Sequence, residues 1–179
     1  MEQRNVSVWK YSLPSGLYIG IALVVFNLIL YFTGNTLNNS LQNISIAIVV
    51  AGIILAQLHF RRKQENILSY GQGVGIAAIT MLAAGFLTMI YTYLLYKVID
   101  PEIHQQLIMM MEEETTRRLS EQGMSEEQLQ MTINIQKKFQ SPLVLALGTF
   151  VNTFITGLLA GLIRSEERRV GKECVSECR

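Results

Sequence analysis

The chain is 179 residues long, 50% hydrophobic and only 16% charged, with a formal net charge of +1 at neutral pH. So small a net charge gives no ground for a nucleic-acid partner, and the apolar excess moves the reading from soluble domains towards membrane proteins. Both cysteines, Cys174 and Cys178, lie in the last six residues, so the body of the chain holds neither a disulfide framework nor a thiol chemistry.

A hydrocarbon core of about 30 Å takes roughly 20 helical residues to cross. The first predicted span runs from Leu17 to Thr33, after Pro14-Ser15-Gly16. No small-residue cleavage site follows it, so a signal peptide is the poorer reading. The second span, Ile44 to Phe60, stops at Arg61-Arg62-Lys63. The third runs from about Gly73 to Tyr96, and the fourth from Leu143 to Ile163 with Ser141-Pro142 as N-cap and first-turn proline. None contains Asp, Glu, Lys or Arg. All are apolar on every face, unlike the helices of a soluble bundle.

Small residues recur at four-residue spacing in these spans: Gly16/Gly20, Ala47/Ala51, Gly52/Ala56, Gly71/Gly75 and Gly157/Gly161. Each pair lets backbones approach closely where the hydrophobic effect cannot drive association. The run Gly71-Gln-Gly-Val-Gly75 follows no strand and lacks the lysine of a phosphate loop, so it too reads as packing. Thr80, Thr88 and Thr92 form a polar stripe along span three, and Asn27 and Asn152 fall near the middle of spans one and four. Hydrogen bonds between helices are the expected role of all five, with Asn27 and Asn152 paired at one depth. The alternative is a solute path.

Orientation follows from Lys and Arg near the span ends. Arg4 and Lys10 precede span one, the first link carries no charge, and the second holds Arg61, Arg62 and Lys63. Both termini and the second link therefore read as cytoplasmic, with residues from about 99 to 140 outside. Trp9, Tyr11, Tyr18, Phe60 and Tyr70 would lie at one interface, and Tyr31, Phe32, Tyr93 and Tyr96 at the other.

In the outward segment, Asp100-Pro101-Glu102 reads as an N-cap, a first-turn proline and an acidic first turn, opening a helix that ends at Gly123. Glu113/Arg117 and Glu114/Arg118 are i,i+4 pairs in the favourable order. Ser125-x-x-Gln128 offers a capping box for a second helix. Residues 129–135 alternate Leu, Met, Ile, Ile with period two, a strand signal. The capping box and the want of a second strand favour helix. Ile103, Leu107, Met110 and Met111 are the candidate partner surface. A copper(I) site from His104 and the methionines fails, because Met109, Met110 and Met111 point about 100° apart. His59 reads as an interface residue, and Glu112-Glu113-Glu114 as a solvated face. No metal, cofactor or catalytic set is expected. Residues from Arg164 onward, RSEERRVGKEC, look like an in-frame sequencing adapter, and are set aside from functional reasoning.

Several of these pieces together carry a resemblance: Ser69-Tyr-Gly-Gln-Gly-Val-Gly75, Tyr91-Thr-Tyr93, Ile99-Asp-Pro-Glu102, Glu121 to Gln128, Lys137-Lys-Phe139 and Ser141-Pro142. In that order they resemble a four-span bacterial membrane family known as domain of unknown function 4199, over nearly the whole chain up to Ile163. Glu65-Asn66-Ile67 stands where that family has an Asn-Gly-Gly turn. The resemblance implies an all-α integral membrane four-helix bundle of the bacterial inner membrane, and no activity. The expected role is a non-catalytic scaffold or accessory protein, in contact with the bilayer and with a membrane or extracytoplasmic protein, or a homo-oligomer. A small transporter or channel subunit using Asn27, Asn152 and the threonines is the alternative.

Overall fold

The computed structural model describes residues 8–63 and 70–177, and every regular element among them is helical. These are α1 (Val8–Phe32), α2 (Asn39–Lys63), α3 (Tyr70–Leu94), a π-helical turn (Leu95–Ile99), α4 (Pro101–Glu121), α5 (Glu126–Lys138) and α6 (Pro142–Glu177). Four stretches are long and apolar enough to cross a membrane: Trp9–Phe32, Ser40–Phe60, Gly71–Ile99 and Pro142–Ile163. The Glu65-Asn66-Ile67 departure and Ser69 lie outside the described residues.

The first span differs from the sequence reading at its start. Pro14 sits inside α1 and not at its mouth. A proline removes the bond its N–H would make to the carbonyl of Lys10, yet the turn before it is held by its own contacts. Ser15 Oγ donates to Tyr11 O at 2.9 Å, Tyr11 packs edge-on against Phe60, and Ser12 is buried. At the far end, Gly34 takes a left-handed φ of 69°, which lets Asn35 N–H reach Leu30 O at 2.8 Å and close the helix.

The chain divides into two compact units, residues 1–88 with 150–179, and residues 89–149. In the first, α3 is the central helix. A Cβ on Gly16 or Gly20 of α1 would run into Thr80, Ala83, Ala84 and Leu87 of α3. One on Gly157 or Gly161 of α6 would meet Met81 and Ala77. Gly52 of α2 leaves room for Ile19 in the same way. The core between them is Ile19, Leu23, Val49, Ile53, Ala77, Met81 and Ala84. Lipid tails are as apolar as these side chains, so close backbone approach and hydrogen bonds hold such helices together. Two of the small-residue pairs take no part. Ala47 and Ala51 are exposed, and a Cβ on Gly71 or Gly75 would meet nothing within 4 Å among the described residues.

Candidate interaction surface

The second unit is built from local chemistry. The π turn closes with Asp100 N–H donating to Leu95 O at 2.8 Å. Asp100 then caps α4, its carboxylate accepting from Glu102 N at 3.1 Å and Ile103 N at 3.2 Å, while Pro101 has no N–H to satisfy. α4 ends at Gly123, whose φ of 72° allows Met124 N–H to reach Leu119 O and Gly123 N–H to reach Ser120 O. Ser125 and Gln128 form the reciprocal capping box that opens α5. Along α4, Glu114 holds both arginines, Arg118 at 2.7 Å and Arg117 at 3.0 Å. The Glu113/Arg117 pair is not formed, because Arg117 turns to Glu114 one residue later. Hydrogen bonds from Arg118 and then Arg117 hold the Glu114 carboxyl below the usual carboxylate range.

α4 and α5 pack against each other as an antiparallel hairpin. Lys137 lies 3.8 Å from Glu112, and His104 Nε2 is 2.8 Å from Gln140 O, with the His104 ring against Tyr96 at 5.7 Å. Leu129 and Ile133 of α5 are half-buried on the side that carries Lys137. Residue 131 lies about 200° around the helix from 129, so Met131, Ile135 and Phe139 form a stripe on the other side. They are 66%, 54% and 62% exposed. The apolar arc of α5 is thus about half covered and half open.

The four residues expected to form a partner surface on α4 differ in exposure. Ile103, Leu107 and Met111 are half-buried, and only Met110, with its neighbour Met109, stands open on α4. The open stripe belongs to α5. Its signal was the alternation of residues 129–135, which in a helix marks two opposite apolar sides and not a strand. Met109 and Met111 also differ in exposure, as their angular separation requires.

The polar residues of the first unit are mostly satisfied within the chain. Thr80 Oγ1 donates across helices to Ser12 O at 3.3 Å. Thr88 stays on its own helix, bonded to Ala84 O and Gly85 O. Asn27 and Asn152 do not pair. Because α1 begins before Pro14, Asn27 falls in the last third of its span, where its amide donates to Leu23 O at 2.8 Å. Asn152 is exposed. Thr92, in the second unit, is buried. The sequence reading passed over several buried polar side chains, Gln57 and Ser12 among them. Gln57 Nε2 donates to Gly73 O at 3.2 Å, joining α2 to α3, and Ser12 Oγ is buried with no hydrogen-bond partner among the described residues. Gln57 is the lone side-chain amide in the predicted span Ile44 to Phe60, which is a legible signal; Ser12, before the first predicted span, is not. Since the Ser12 hydroxyl is unpaired, Ser12→Ala should leave unfolding in detergent unchanged or shift it to greater stability by up to about 1 kcal/mol. A loss of that size would show that the hydroxyl has a partner.

A family model described as Protein of unknown function (DUF4199) matches residues 14–165. No curated protein and no solved structure matches the chain.

Proposed function

The chain belongs to the DUF4199 family, and from that premise we propose that it is a non-catalytic membrane scaffold that presents the α4–α5 hairpin to a protein partner. The partner sits in or beside the same membrane. Both termini and the Arg61-Arg62-Lys63 link lie in the cytoplasm, and the hairpin lies outside the bacterial inner membrane. The observation that carries this reading is the uncovered half of α5. Met131 and Ile135 of α5, with Phe139 at its C-cap, are exposed at i,i+4 spacing, and the other apolar side of the helix already packs on α4. A helix in a groove is recognised through anchors at this spacing. Transport has the weaker support, since Thr80, Thr88 and Asn27 spend their hydrogen bonds on backbone carbonyls.

A photo-crosslinking side chain placed at Phe139 in intact cells should give a discrete protein adduct, and one at Asn134, on the polar side, should not. Each apolar side chain that leaves water contributes about 1.5–3 kcal/mol. Met131→Ser with Ile135→Ser should therefore cut the adduct at least about tenfold while the membrane helices still assemble. Adducts with lipid alone, or equal adducts from both positions, would defeat the reading. An adduct formed with a cytoplasmic protein would reverse the orientation.

A further inference from the structure

Asn152 is the eleventh residue of the 22-residue span Pro142–Ile163. At 1.5 Å per residue this is about 15 Å from either end, the middle of a hydrocarbon layer about 30 Å thick. Its side chain is exposed and makes no hydrogen bond among the described residues. A side-chain amide has two donors and two acceptor lone pairs, and leaving them unmet where no water reaches is costly. Asn27 meets the same demand by donating to its own helix. Asn152 points where only lipid or another molecule can answer it.

The surface around it is open. Val151, Ile155 and Leu159 lie within about 100° of Asn152 on α6 and are 50%, 51% and 53% exposed. Only 11% of the most apolar stretch of this span is buried, against 44% in the span of α3.

We propose that this face of α6 is where a second copy of the chain docks, the two Asn152 amides hydrogen-bonding to each other across a symmetric contact. A copy inserted in the same membrane has the same orientation, so a two-fold axis along the membrane normal sets the two Asn152 side chains at one depth. The amide is both donor and acceptor, and is complementary to itself. A different partner would need its own polar group at this depth; a second copy brings one by construction. The neighbours suit the contact, since Val151 and Ile155 are β-branched and hold few rotamers to lose. This surface shares no residue with the hairpin, and the proposal does not depend on what the hairpin binds.

The test uses the full chain, with Cys174 and Cys178 replaced by serine, in lipid vesicles over a range of protein-to-lipid ratios. Energy transfer between donor-labelled and acceptor-labelled copies reads the association. Asn152→Leu should raise the dissociation constant about three- to thirtyfold, the range that interhelical hydrogen bonds give in membranes. Asn152→Gln should restore most of the association. In the same background, Ile155→Cys should form an intermolecular disulfide on oxidation and Leu55→Cys, exposed on α2, should not. The Asn152→Leu face is more apolar than the original, and unchanged helical content and unfolding would confirm that the variant folds. Association of Asn152→Leu as tight as the parent chain's, a parent chain monomeric at every dilution, or cross-linking from Leu55→Cys alone would each overturn the proposal.

Discussion

Gly16→Leu is expected to prevent α1 from docking on α3, seen as loss of cooperative unfolding in detergent and of protease resistance. A Cβ at residue 16 would meet the carbonyl oxygen of Thr80 and lie 2.7 Å from Ala83 Cβ. The first of these is backbone, which cannot swing aside as a long side chain can. Gly20, one turn on, is closed off in the same way by Leu87 Cδ1 at 2.7 Å and Ala84 Cα at 3.1 Å. Overfilling a packed site by a methylene or so costs about 1–3 kcal/mol, so Gly16→Ala should fall in that range and leucine should exceed it. Gly75→Leu is the control. Nothing among the described residues lies within 4 Å of a Cβ there, and its cost should stay within about 0.5 kcal/mol. If Gly16→Leu unfolds with the parent chain, α1 and α3 do not meet along this line.

Met81 gives the second large effect. It is fully buried, and its Cγ and Sδ fill the notch that Gly157 leaves on α6. Met81→Ala should destabilise by about 2–5 kcal/mol through the void it opens. Gly157→Ala should cost about 1–3 kcal/mol by overfilling the same place. The two together should cost less than their sum by at least about 1 kcal/mol, because the added methyl takes up part of the vacated space. Additivity to within about 0.5 kcal/mol would mean that the two residues do not share a contact.

The parts of this fold that can be read from the sequence are those set within a few residues of chain. Four membrane-length helices follow from hydropathy, and the ends of α4 and α5 from Asp100-Pro101, Gly123 and the Ser125–Gln128 box. What a sequence leaves open is the azimuth of each helix. Asn152 could be assigned a depth, but neither asparagine a direction, and Asn27 and Asn152 turn out to face an intrahelical carbonyl and the exterior. Among the small-residue pairs, spacing alone does not separate Gly157/Gly161, packed on α3, from Gly71/Gly75, which meets nothing. Rotation also decided the candidate surface. Ile103 and Leu107 have the right chemistry and are half-covered, while Met131 and Ile135 have the same chemistry and stand open. Pro14 misled for a related reason, since contacts made by Tyr11 and Ser12 with distant residues extend α1 past a proline that would otherwise end it.

The π turn at Leu95–Ile99 bears on chain length. A π turn holds one residue more than α pitch would use, and here it is the last turn of the helix begun by α3, ending where the non-helical Asp100 caps α4. Taking one residue out of this stretch would let it relax to ordinary pitch while the end of α3 and the Asp100 cap kept their angular phase. The same deletion inside α4 would swing everything up to Gly123 by about 100°. Residues 95–99 are therefore a slack link, where the chain can shorten by one without rotating α4, and the regular turns on either side have no such allowance.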